Sequence, residues 1–250
     1  MVDPVADLAR LDGVPAAVAA ARDAIDAVLR NRGPTRITAE QVTTALLDGA
    51  RASAELSGER ARWLPGTVRL STELVALSSQ IRVAPGQAMA RAHLLLAHGA
   101  VPQVSLGRLR SDDAVSERMV ALGRLLTSPT RASAVVLAAV VHAELATVAP
   151  FGTADELLAR AVEHMVLIES GVDPRAVIVV EAGHLRSGRD YGRRLMAYRD
   201  GGVLGVRDWL VHCTRALAYG AEVSPLQPRA ESNVAKQAGA EITPDMTRRP

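Results

Sequence analysis

The sequence predicts an all-α domain, and three observations carry the prediction. Aromatic residues make up only 2% of the 250 residues, so the core must be built from Ala, Val and Leu, the first and last of which are strong helix formers. Apolar residues recur at alternating spacings of three and four along most of the chain, the signature of amphipathic helices. A hydrophobic content of 48% and a mean hydropathy of +0.12 supply a core of ordinary size without covalent staples.

Charge and cysteine content narrow the classes further. The formal net charge is +2, and among 29 basic residues only Lys236 is a lysine. That bias, with the alanine abundance, reads as the composition of a GC-rich genome. No basic block interleaved with aromatics is present, so nucleic-acid binding is not expected. The single Cys213 excludes an intrachain disulfide framework and any multi-cysteine metal site. The start Val-Asp-Pro carries no basic-then-apolar leader, and no apolar run reaches membrane-spanning length. A cytoplasmic protein without membrane contact is the expectation.

Taken in order, Val14, Val18, Ala21, Ile25 and Val28 mark a first helix, closed by Asn31, Gly33 and Pro34. Thr38 followed by Gln41 forms a capping box that opens the next helix, which ends at Ser57 and Gly58. Trp63, Pro65 and Gly66 read as a break before the stripe Leu70, Leu74, Leu77 and Ile81, and Pro85 and Gly86 punctuate again. A short helix over 88–97 carries His93; His98 lies five residues on, which puts the two on different faces and not at the spacing of a metal-binding pair. Val115, Met119, Leu122 and Leu126 make a further helix, closed by Ser128 and Pro129. Residues 133–145 and 157–168 are apolar on every side, so both helices must be central. Residues 176–180 are β-branched and read as an extended segment crossing the core. A polar helix over 190–198 and an amphipathic one through Val203, Val206, Leu210, Cys213 and Leu217 follow. The organisation expected is an N-terminal helix in 1–36, a helical domain in 37–222 and a disordered tail in 223–250.

The stretch that joins the two central helices, residues 142–160, holds the only phenylalanine, Phe151. Helix, Pro-Phe turn and second helix resemble the core of Fic (Fido) domains, whose motif is His-x-Phe-x-Asp/Glu-Gly-Asn-Gly-Arg-x-x-Arg. Phe151 and Arg160 match that motif. Ala149 stands at the catalytic histidine position and Thr153 at the acidic metal-binding position; Ala154, Asp155 and Glu156 replace Gly-Asn-Gly, and Leu157 replaces the first arginine. The resemblance implies transfer of a nucleotidyl group, usually AMP from ATP with Mg²⁺, to a protein hydroxyl. Each demand of that reaction meets a gap. Ala149 cannot act as base, Thr153 offers a metal only a neutral oxygen, the phosphate turn has lost both glycines, and Leu157 brings no positive charge. Thr153 and Glu156 instead have the spacing of a capping box, with Asp155 and Glu156 in the first turn of the helix.

Two weaker resemblances accompany it. Many Fic proteins carry an inhibitory helix, Ser/Thr-x-x-x-Glu-Gly/Asn; Ser53, Ser57 and Gly58 resemble its remnant, with Ser57 at the glutamate position, although an ordinary helix end with a glycine cap accounts for the same residues. Gly107, Arg108 and Arg110 are similar to the Gly-x-x-Arg β-hairpin flap that clamps a target peptide by strand addition; a plain loop is the other reading. The expectation is therefore a degenerate Fic-like protein with no catalytic residue, no metal and no cofactor, acting through a protein partner at the flap. The alternative is an altered transferase in which Asp155 holds the metal, His142 is the base and Arg160 meets the phosphate, with ATP and Mg²⁺ as cofactors. His142 otherwise reads as a buried histidine with a hydrogen-bond partner, which Glu144 and His164 could join.

Overall fold

A computed structural model describes residues 3–31 and 36–227. Among them the secondary structure is helical throughout, with no β-strand and a single isolated bridge between His98 and Val101. The all-α expectation holds.

Two helices form the centre. Helix α7 (Ala134–Val148) is capped by the Ser133 side chain, which accepts the Val135 N–H. Helix α8 (Asp155–Glu169) runs back against it after a six-residue turn. Residues 135–143 and 157–168 are all buried, as helices apolar on every side require. The layer on one side is α3 (Ala39–Leu56), α4 (Arg60–Ser78) and α5 (Pro85–Ala97); α4 and α5 lie on α8, and α3 pairs with α4. On the other, α11 (Gly202–Glu222) packs on α7, α2 (Val14–Asn31), α9 (Val180–Ser187) and α10 (Arg189–Asp200). Helix α6 (Asp113–Thr127) closes one end, and the short α1 (Pro4–Leu8) rests on α7.

The capping box at the start of α3 forms as expected: the Thr38 hydroxyl accepts the Gln41 N–H at 3.2 Å, and Gln41 Oε1 accepts the Thr38 N–H at 3.0 Å. The break expected at Pro65 and Gly66 does not occur. Helix α4 starts at Arg60 and runs through both. Pro65 lies inside the helix and removes one intrahelical bond, and Gly66 marks a close helix crossing, because a Cβ there would lie 1.8 Å from the Leu96 carbonyl oxygen of α5. Helix α9 was not foreseen; its Gly183 serves a second crossing, against Ala216 of α11.

The extended segment expected over 176–180 is narrower and irregular: Ala176 has φ +53°, residues 177–179 are buried and belong to no helix or strand, and Val180 already begins α9. The Asp173 carboxylate accepts the N–H groups of Val177 and Ile178 at 3.0 and 2.9 Å, and Val179 donates to the Gly220 carbonyl. Residues 223–227 of the expected tail close on the core, where the Ser224 hydroxyl donates to the Val177 carbonyl at 2.7 Å. The disorder expected beyond them, and the stop at Gly33 and Pro34, fall outside the described residues.

Candidate functional site: a self-filled turn above a polar core

The turn between α7 and α8 is tightly wound. Ala149, Gly152 and Ala154 all have positive φ, at 47°, 71° and 59°. Ala149 ends α7 in the left-handed conformation and Ala154 begins α8 in it.

The capping box expected between Thr153 and Glu156 does not form. Ala154 is the residue preceding the helix and makes no side-chain cap, so Thr153 is one place too early in the register a box requires. The turn is satisfied by Asp155. Its carboxylate folds back and accepts the Phe151 N–H at 2.8 Å, with the N–H groups of Gly152 and Thr153 beside it. Burial pushes this carboxyl up to about 6, against the opposing pull of those N–H groups and of the Arg110 guanidinium. Glu156 stays exposed, 3.9 Å from Arg160.

Phe151 is buried and stacks on His93, with ring centroids 4.3 Å apart and planes 11° apart. His93 Nδ1 accepts the Gly107 N–H at 3.0 Å. That leaves Nε2 to donate to the Thr153 carbonyl and hydroxyl oxygens at 3.2 and 3.3 Å. His93 is therefore a strut between the flap segment and the turn, and burial holds its pKa below the ordinary value against the Thr153 bond.

The flap segment is not a hairpin. It is one 3-10 turn, Gln103–Ser105, followed by irregular chain. Its polar groups are committed to the α7 terminus: the Arg110 backbone N–H donates to the Pro150 carbonyl at 2.8 Å, and its guanidinium donates to the carbonyls of Ala149 and Val148, each at 2.9 Å. A cation there suits the negative end of the helix. Gly107 adopts φ +68° and Arg108 is exposed. Beside them Met89, Ala90, Leu109, Met119, Val120 and Phe151 line an apolar groove of about 260 Å³.

Arg160 points into the core. It has no exposed surface and donates to Ser53 Oγ at 2.9 Å, the Ser53 carbonyl at 3.1 Å and the Tyr191 hydroxyl at 3.0 Å. Helix α3 thus touches the matched arginine through Ser53. Ser57 and Gly58 are an ordinary helix end: the Ser57 hydroxyl donates to the Ala54 carbonyl, and Gly58 turns at φ +75°.

His142 is buried with partners, as expected. Its Nδ1 lies 2.7 Å from Glu163 Oε2 and its Nε2 2.9 Å from the Tyr191 hydroxyl. Glu144 and His164 do not join it. Glu144 faces Arg118 and the Tyr198 hydroxyl; His164 lies against Glu181 at 2.9 Å and Asp173 at 3.5 Å. The residues that do join were missed. His184 Nε2 meets the same Glu163 oxygen at 2.7 Å, and its Nδ1 meets His212 Nε2 at 3.1 Å. Trp209 covers the group, its ring centroid 5.0 Å from that of His142. Burial pushes His142 down to about 4 against the pull of Glu163. Burial alone would raise the Glu163 carboxyl, but the two imidazoles hold it well below its ordinary range. The polar helix over 190–198 supplies Tyr191, the hydroxyl that joins Arg160 to His142.

No family model and no curated protein matches the sequence. Among solved structures the chain is similar to the crystal structure, at 2.70 Å, of a Fic family protein from Desulfovibrio desulfuricans G20; the TM-score is 0.54 and the identity 19%, over 96% of this chain and 70% of that one. The fold is Fic-like. In this Fic-like fold Thr153 faces His93, and the turn's Phe151 N–H donates to Asp155. The altered-transferase arrangement is not assembled at a solvent-open pocket, since His142 and Arg160 are both fully buried and linked to each other through Tyr191.

Proposed function

We propose that this is a degenerate Fic-like protein that transfers no nucleotide and acts by binding a protein partner, in the cytoplasm and without ATP or Mg²⁺ as cofactors. The observation that carries the reading is the Asp155 carboxylate on the Phe151 N–H. A triphosphate approaching that turn would meet a negative charge where it needs donors. Ala149 puts a methyl group at the position of the family's catalytic histidine, and the buried arginine has its three hydrogen bonds committed to Ser53 and Tyr191.

Binding is supported by the surface beside the turn. Leu109 and Val120 are exposed, at 43% and 55%, and line the groove together with Met89, Met119 and Phe151. Apolar side chains left in water beside a groove suit the anchor residues of a docked peptide.

Incubation of the protein with labelled ATP, GTP, UTP or CDP-choline, Mg²⁺ or Mn²⁺ and cell lysate tests the catalytic half, and no transfer is expected. Efficient labelling that disappears in Thr153→Ala or Asp155→Ala would sink the reading. A photocrosslinker at Leu109 tests the binding half; it should capture a discrete protein, and Val120→Glu should abolish the capture.

A further inference from the structure

We propose that the polar core beneath the turn is a binding site for one divalent transition-metal ion of the zinc class, with His142, Glu163, His184 and Cys213 as its four ligands. Their donor atoms, one per residue, all lie within 4.8 Å of one another. They come from α7, α8, α9 and α11 in turn, so four helices must converge to bring them together.

The chemistry of the set fits. Two imidazoles, a carboxylate and a thiolate are a mixed nitrogen, oxygen and sulfur set, which suits Zn²⁺ or Co²⁺ far better than Mg²⁺ or Ca²⁺. The two anions neutralise a divalent ion, so no net charge is left in the interior. Having a single cysteine excludes sites built from several thiolates and not this one. A tetrahedral ion with bonds of about 2.0–2.3 Å holds its ligand atoms about 3.4 Å apart. Glu163 Oε2 is now 2.7 Å from each imidazole nitrogen, so those two pairs need to open by about 0.7 Å, while donor atoms as far as 4.8 Å apart need to close by up to about 1.4 Å, both within the range of side-chain rotation.

The surroundings supply what ligating histidines require, a fixed partner for the second ring nitrogen. His142 Nε2 has the Tyr191 hydroxyl, and His184 Nδ1 has His212 Nε2, whose own Nδ1 faces the Ser187 hydroxyl at 3.5 Å. These partners accept either tautomer. When the ion binds, each ligating imidazole moves its proton to the far nitrogen and donates it outward, and the Cys213 thiol proton leaves to solvent. His142, His184, Glu163 and Cys213 are exposed by 2% or less. That closure marks a structural site, not one with an open catalytic position.

Metal analysis of protein produced, or unfolded and refolded, with zinc present is expected to give one equivalent per chain. The cobalt-loaded protein should show the visible bands of four-coordinate Co²⁺ and a near-ultraviolet thiolate charge-transfer band. Cys213→Ser, nearly the same size, should lose that band and bind at least about tenfold more weakly; His98→Gln, on the surface, should change neither. Wild-type protein that holds no stoichiometric metal after refolding, cobalt bound without the thiolate band, or a band that survives Cys213→Ser would each overturn the site. Circular dichroism on Cys213→Ser, matched to wild type, separates loss of the ligand from loss of the fold. None of these readouts involves nucleotide transfer, so the site stands or falls apart from the proposed function.

Discussion

Replacing Arg160 with methionine should destabilise the protein by about 2–4 kcal/mol. The side chain is fully buried and makes three hydrogen bonds, which tie α8 to α3 through Ser53 and to α10 through Tyr191. Methionine fills similar space but donates nothing. It strands the Ser53 hydroxyl and carbonyl where water does not reach, each at about 1–3 kcal/mol, while Tyr191 keeps its bond to His142. Working the other way, the variant no longer has to desolvate a cation whose nearest carboxylate, Glu156, is 3.9 Å away and half exposed. Three charge-assisted bonds outweigh that relief, and the net loss is a sizeable share of a domain stability of about 5–15 kcal/mol. Equilibrium unfolding in urea, followed by the fluorescence of buried Trp209, measures it as a lower midpoint at constant m. Arg160→Lys should lose nearly as much, since an ammonium cannot span the three acceptors as a planar fork does. Ser53→Ala should cost about 1 kcal/mol and couple non-additively with Arg160→Met. A variant within about 0.5 kcal/mol of wild type would refute the reasoning, and Arg160 would then be a tolerated buried charge.

Three other outcomes follow from the geometry. Gly66→Ala should cost about 3 kcal/mol or more, or prevent folding, because its Cβ would lie 1.8 Å from the Leu96 carbonyl; Gly192→Ala, with nothing within 4 Å, should be neutral or stabilise α10 by up to about 1 kcal/mol, both by thermal or urea unfolding. Asp155 has its pKa raised to about 6, so between that value and the unfolded 3.8 the native state binds the extra proton and stability rises as pH falls. Wild type should therefore gain about 1 kcal/mol relative to Asp155→Asn between pH 7.5 and pH 5, and parallel pH profiles for the two proteins would contradict the buried carboxylate. Thr38→Ala should lose about 1 kcal/mol in the same unfolding assay, as it removes the cap on the Gln41 N–H.

What could be read in the chain follows from what periodicity reports. Helices α7 and α8 were legible because apolar residues on every face leave them nowhere to go except the centre, and the box at Thr38 was legible because caps are local. Helix α9 was not, since its eight residues carry Glu181, Gly183, His184 and Arg186 and show no stripe; its place is set by the close approach of Gly183 to α11. The register at Thr153 failed because an alanine, Ala154, adopts the left-handed conformation, which a non-glycine residue enters only when its surroundings hold it there. The polar core was half legible. His142 in an apolar helix demands a partner, but nothing local names Glu163, His184 and Cys213, which meet only once four helices have packed.

The strain in the turn bears on how it holds its shape. Two alanines held at positive φ cost on the order of 1–2 kcal/mol each. In a phosphate-binding turn, glycines would avoid that cost and the ligand would satisfy the N–H groups. Here three contacts hold the turn: Asp155 takes the Phe151 N–H, Arg110 takes the carbonyls of Val148, Ala149 and Pro150, and the Phe151 ring is clamped on His93. Each contact closes on a group within the chain. The turn is therefore held by side chains that a nucleotide would have to displace, and Arg110 and His93 carry its position directly to the segment around Gly107 and the groove at Leu109, the surface proposed above for a partner.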